Sequence, residues 1–89
     1  MKASAEISLY PLDPKYKERI IDFIHRLREE GRVDVVTNGM STQIFGDYDV
    51  IMDLLKSEIG KELEQHRTMA VIKIGDGHMR AEDIDASLK

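Results

Sequence analysis

Cysteine and tryptophan are absent from this sequence, and proline occurs only twice. Without cysteine there are no disulfides, no thiolate nucleophile and no zinc site built on sulfur. No apolar run approaches the roughly 20 residues of a membrane span, and the N-terminus lacks the apolar core of a secretion signal. By elimination, the expected location is the cytoplasm, with no insertion into a membrane. A basic excess is missing as well. The formal net charge is -4, whereas a phosphate backbone calls for concentrated cations. Lysines and arginines are interspersed with acids, as in Lys15-Tyr16-Lys17-Glu18-Arg19, the pattern of a solvated helix face. Nucleic acid is therefore not the expected partner.

What the sequence does contain is the composition of one ordinary folded domain: 89 residues, 42% hydrophobic and 34% charged. A core of that size is modest, so association with further copies would add useful burial. A homo-oligomer, dimer or tetramer, assembled through sheet faces is expected.

Residues 2–10 alternate: Ala3, Ala5, Ile7 and Leu9 fall on one face, Ser4, Glu6, Ser8 and Tyr10 on the other. Period two marks a half-buried strand, closed here by Pro11. Asp13-Pro14 reads as a helix start. Tyr16, Ile20, Phe23, Ile24 and Leu27 then form an apolar stripe at helical spacing, and Gly31 is a natural stop. Residues 32–37 and 40–46 are strand candidates around Asn38-Gly39, a hairpin dipeptide. A two-residue loop would set Thr37 against Met40, Val35 against Thr42 and Val33 against Ile44. That register buries Val33, Val35, Thr42 and Ile44, and leaves Asp34, Val36, Ser41, Gln43 and Phe45 on the other face. Asp47 caps a second helix with Ile51, Leu54, Leu55, Ile59 and Leu63 apolar; Gly60 interrupts it. Residues 68–74 give the last strand. The expected organisation is a domain over residues 1–77 and a tail over 78–89, in which Ala81, Ile84 and Leu88 sit at helical spacing.

The order strand, helix, strand, strand, helix, strand predicts an α+β, ferredoxin-like βαββαβ sandwich. Two helices would cover one face of a four-stranded antiparallel sheet, with the first and third strands central. Glu6 and Ser8 then lie beside Ser41 and Gln43 on the open face, which can meet water, a second sheet or a ligand. No catalytic constellation emerges. His25, His66 and His78 share no metal-ligand spacing, the serines have no evident base, and Gly75-Asp76-Gly77 is not a phosphate loop. Neither catalytic nor metal-binding residues are assigned, no cofactor is called for, and an enzyme is not expected.

Two segments carry a resemblance. Ile7-Ser8-Leu9-Tyr10-Pro11-Leu12 on the first strand, and Asn38-Gly39-Met40-Ser41-Thr42-Gln43-Ile44-Phe45-Gly46 at the hairpin, resemble the YkoF-like thiamine-binding family. Asp47-Tyr48-Asp49-Val50-Ile51-Met52 matches its helix entry. The resemblance implies a ferredoxin-like domain that binds thiamine or its hydroxymethylpyrimidine moiety without catalysis, linked to thiamine-precursor transport or salvage. It implies a ligand-binding set of Glu6, Ser8, Tyr10, Asn38, Met40, Ser41, Thr42, Gln43 and Phe45. Hydroxyl and amide groups would meet the pyrimidine edge, Glu6 would serve as acceptor or countercharge, and Tyr10 or Phe45 would stack. Asn38 is explained first as a turn residue. Thr42 faces the core in this register, so its role calls for a bulge or a site on the helix side. The alternative function is a regulatory or assembly module binding a protein partner or an amino acid.

Overall fold

The computed structural model describes residues 1–83. Four strands form one antiparallel sheet: β1 (Lys2–Pro11), β2 (Asp34–Thr37), β3 (Thr42–Asp47) and β4 (Thr68–Asp76), in the order β2-β3-β1-β4. The central strands are β1 and β3, as the ferredoxin-like topology requires. Helix α1 (Tyr16–Glu30) joins β1 to β2. A longer helical stretch joins β3 to β4, made of α2 (Tyr48–Leu54), a π-helical segment (Leu55–Ile59) and α3 (Gly60–Gln65).

The alternation in β1 holds throughout. Ala3, Ala5, Ile7 and Leu9 are buried beneath the helices and share one core with Phe23, Leu27, Val33, Ile44, Ile51, Leu54, Leu55 and Ile59. Gly31 ends α1 with φ +82°, a left-handed conformation that glycine adopts without a Cβ penalty. Asp47 caps α2 by accepting the Asp49 N–H at 3.0 Å.

Other expectations are corrected. Asp13 accepts the Lys15 N–H at 2.7 Å as a cap does, yet the regular helix begins only at Tyr16. Pro14 biases Asp13 away from helical geometry, so a turn precedes the helix. The β2–β3 loop has four residues, not two. Thr37 pairs with Thr42, Val35 with Ile44 and Asp34 with Phe45, and Gly39 does not adopt positive φ. The cause is the Asn38 side chain, whose Oδ1 accepts both the Met40 N–H (2.8 Å) and the Ser41 N–H (3.1 Å). That Asx-type turn replaces the tight hairpin turn. The register slips by an even number of residues, so every side chain keeps its expected face.

In the second helical stretch Leu63 is exposed and Glu62 is buried. The wider turn of the π-helical segment keeps Leu55 and Ile59 buried despite their spacing of four. In α3 the turn returns to 3.6 residues, and a further step of four carries Leu63 off the core side. Glu62 occupies the inward position, with Arg26 of α1 donating to it.

Beyond β4 the chain turns at Gly77 (φ +70°) and crosses the open sheet face. Ser4 Oγ donates to the Gly77 carbonyl at 2.7 Å and accepts the Met79 N–H at 2.9 Å. Arg80 then reaches Asp34 on β2 and lies 4.7 Å over the Phe45 ring. Residues 77–80 are thus a strap packed on the sheet. Of the tail positions noted above, Ile84 and Leu88 lie outside the described residues.

Candidate functional site

A cavity is built where two strand lengths disagree. β1 continues to Pro11 alongside β4, but its pairing with β3 ends at Ile7 opposite Thr42. The backbone of Ser8–Pro11 therefore runs past the start of β3 on that side. The Asn38–Ser41 loop and the first half of α1 close round the overhang. Between them lies a cavity of about 510 Å³ lined by Ile7–Leu12 of β1 and its exit, by Tyr16, Ile20, Phe23 and Ile24 of α1, and by Thr37–Thr42. None of these residues is charged. Its lining includes Thr37 and Thr42, whose hydroxyls lie 3.2 Å apart; Thr42 is only 5% exposed.

A second cavity, of about 390 Å³, lies on the open face beside the strap. It is lined by Ser4, Ala5, Glu6, Gln43, Phe45, Lys73, Ile74, Gly75 and Met79. Here the Glu6 carboxylate accepts from Ser41 Oγ at 3.0 Å and faces the Lys73 ammonium at 3.8 Å. Phe45 is 3% exposed, its ring edge-on to His78 at 6.2 Å and beneath Arg80.

The sequence-predicted residues accordingly divide between two faces. Ser8, Tyr10, Asn38, Met40, Ser41 and Thr42 line the helix-side cavity; Glu6, Gln43 and Phe45 line the other. With the strap in place Phe45 has no open ring face for a ligand. Tyr16, Ile20, Phe23, Ile24 and Thr37 complete the first cavity but were read only as helix stripe or strand residues. Thr37 escaped notice because the two-residue loop set it against Met40; only the four-residue loop pairs it with Thr42.

A family model for thiamine-binding proteins matches residues 5–89, nearly the whole chain. This chain belongs to that family. Comparison with curated proteins finds no match. Among solved structures, a protein from Streptococcus pneumoniae is similar with TM-score 0.76 at 24% identity, covering 98% of this chain and 99% of its own. A Methanocaldococcus jannascii protein gives 0.74 at 26% identity, covering 98% and 92%. A Thermotoga maritima protein provisionally assigned to thiamine biosynthesis or salvage gives 0.79 at 18% identity, covering both chains fully. At these identities, the TM-scores and coverage show a shared fold.

Electrostatics around the thiamine-binding family fold separate the mouth of the cavity from its interior. Near the mouth, the Lys15 backbone N–H, aided by Arg19, holds the Asp13 carboxyl below its ordinary range. Behind the Phe23 wall of the cavity, with its guanidinium 5.8 Å from that ring, Arg26 bridges Glu58 (2.7 Å) and Glu62 (2.6 Å), clamping α1 to the second helical stretch. Among the described residues no group of His, Cys, Asp and Glu is arranged to hold a metal ion, and no helix is long and apolar enough to cross a membrane.

Proposed function

We propose that this protein binds thiamine or hydroxymethylpyrimidine without turning it over, with the pyrimidine ring in the helix-side cavity. The observation that carries the reading is the uncharged lining of that cavity in a chain of the thiamine-binding family. Burying an unpaired charge is costly, so the permanently cationic thiazolium of thiamine belongs at the mouth. The aminopyrimidine ring, neutral at physiological pH, belongs inside. Its donor and acceptor edge has two kinds of partner there. One is the hydroxyl pair of Thr37 and Thr42, each hydroxyl both donor and acceptor. The other is the overhanging backbone of Ser8–Pro11. Tyr16 and Phe23 supply aromatic walls.

On this reading Ser8, Tyr10, Asn38, Met40, Ser41 and Thr42 form the contact set, and Glu6, Gln43 and Phe45 do not touch the ligand. Ser8, Tyr10 and Ser41 offer backbone, because their side chains face the other side of the sheet. The uncovered part of the open sheet face carries exposed Tyr10, Val36, Met69 and Val71. We assign it to a homo-oligomeric contact in a cytoplasmic protein of thiamine-precursor transport or salvage. Light scattering on the eluted protein checks that assembly, a monomer counting against it.

Titration calorimetry tests the ligand. Hydroxymethylpyrimidine and thiamine should both bind, within about tenfold of each other, because the shared ring makes the buried contacts. Thr42→Val should weaken both by roughly tenfold, the worth of one buried hydrogen bond. Absence of heat with either ligand on folded protein overturns the reading.

A further inference from the structure

We infer that Glu6 is a positioning residue: from the opposite face of the sheet, it holds the Asn38–Ser41 loop against the mouth of the helix-side cavity. The inference rests on the ligand reading above and concerns how that site is kept in shape. In the strand register Glu6 stands opposite Gln43, which makes Ser41 its diagonal neighbour on the same face. Ser41 Oγ donates to Glu6 Oε2 at 3.0 Å, a charge-assisted bond of the stronger kind. The other carboxylate oxygen faces Lys73 of β4 at 3.8 Å. Glu6 thus links the loop to the far edge of the sheet across the central strand.

The loop has few other restraints. Its internal bonds all run to Asn38, from Met40 N–H and Ser41 N–H to the side chain and between the Asn38 N–H and the Ser41 carbonyl. These set its shape and not its position. Met40 is 88% exposed, so no packing holds it down. The remaining tie to β1 is a long bond, 3.4 Å, from Ser8 Oγ to the Met40 carbonyl. Regular β1–β3 pairing stops one residue later in sequence, at Thr42. The Ser41–Glu6 bond is therefore the short polar contact between this loop and the strand whose overhang forms the cavity floor. Glu6 reaches the ligand site only through that loop.

The test compares Glu6→Ala, Glu6→Gln, Ser41→Ala and the Glu6→Ala/Ser41→Ala double variant. It uses amide exchange of Met40 and Ser41 in the ligand-free protein, and hydroxymethylpyrimidine affinity by calorimetry. Glu6→Ala and Ser41→Ala should each speed exchange in the loop and weaken binding by about three- to tenfold. The double variant should be no worse than either single one, because both remove the same bond. Glu6→Gln keeps an acceptor oxygen but loses the charge that strengthens the bond, so it should fall between the parent and Glu6→Ala in both readouts. Unchanged loop exchange in Glu6→Ala overturns the inference. So do additive losses in the double variant, or a Glu6→Gln variant that loses affinity as Glu6→Ala does while its loop exchange stays at the parent's rate, which would mean that the charge acts on the ligand directly. If the parent protein binds no hydroxymethylpyrimidine, the ligand reading falls. The exchange comparison still decides whether Glu6 holds the loop.

Discussion

Replacing Arg26 by methionine should destabilise this domain more than any other single change outside its apolar core. Arg26 Nε and its terminal amine donate to Glu58 Oε2 at 2.7 Å and Glu62 Oε1 at 2.6 Å. Glu62 is 2% exposed and its second oxygen is buried without a partner. Methionine keeps much of the stem's packing and removes the cation. Glu58 retains Lys61 at 3.0 Å, but Glu62 keeps no cation to face. Stranding a buried carboxylate costs 3–5 kcal/mol in general. Arg26 is itself 30% exposed, so water reaches part of the cluster and the low end, about 3 kcal/mol, applies. For a domain of this length that lowers Tm by roughly 12–24 °C. Thermal and urea unfolding monitored by circular dichroism measure it. Adding Glu62→Leu to Arg26→Met should restore most of the loss, since a matched apolar replacement of a buried pair is close to neutral. A loss below about 1 kcal/mol in Arg26→Met, or no recovery in the double variant, would refute the reasoning.

Glu58 gives a pH signature. Burial raises its pKa, but hydrogen bonds from Arg26 and Lys61 outweigh that and hold the carboxyl below its ordinary value of 4.5. A pKa lower in the folded state stabilises the fold above 4.5, and the contribution is lost as pH falls through the lower folded value. Urea midpoints should therefore drop on acidification below about 4.5, less steeply in Glu58→Gln; identical slopes would contradict the assignment. Gly60→Ala should raise stability by about 1 kcal/mol. Gly60 has helical dihedrals (φ -55°, ψ -44°), and a Cβ there meets nothing within 4 Å. A lower Tm would show that the glycine is needed for packing. Ser4→Ala removes both bonds that hold the strap, to the Gly77 carbonyl and from the Met79 N–H. It should cost about 1–2 kcal/mol and accelerate amide exchange at Met79; unaltered exchange would mean that Phe45 and Arg80 hold the strap alone.

Much of this fold could be read from local rules. The alternation of Ala3, Ala5, Ile7 and Leu9 identified the buried face of β1, Gly31 the end of α1, and Asp47 the cap of α2. Each depends only on neighbouring residues. The ferredoxin-like strand order followed from the sequence of elements. The hairpin was half legible. Asn38-Gly39 located the turn, but its length depended on whether the Asn38 side chain or a pair of left-handed residues would close it. An even slip preserved the faces, so Thr42 was rightly put on the helix side, while its partner Thr37 was missed. The cavity was illegible for the same reason, because it arises from β1 outrunning a β3 that the longer loop starts later. Leu63 was read into the apolar stripe, whereas Glu62 is the buried neighbour, and its burial depends on a partner 36 positions away, Arg26. The strap left no periodic trace: it is held by a backbone carbonyl, a backbone N–H and Arg80.

The most direct measurement is the map of backbone amide shifts on adding hydroxymethylpyrimidine to isotopically labelled protein. Saturable shifts concentrated at Ser8–Leu12 and Thr37–Thr42, with α1 residues near Ile20 and Phe23 following, are predicted. Shifts centred instead on Glu6, Gln43, Phe45 and Lys73 would move the site to the open face, and no saturable shift anywhere would remove the ligand from the protein altogether.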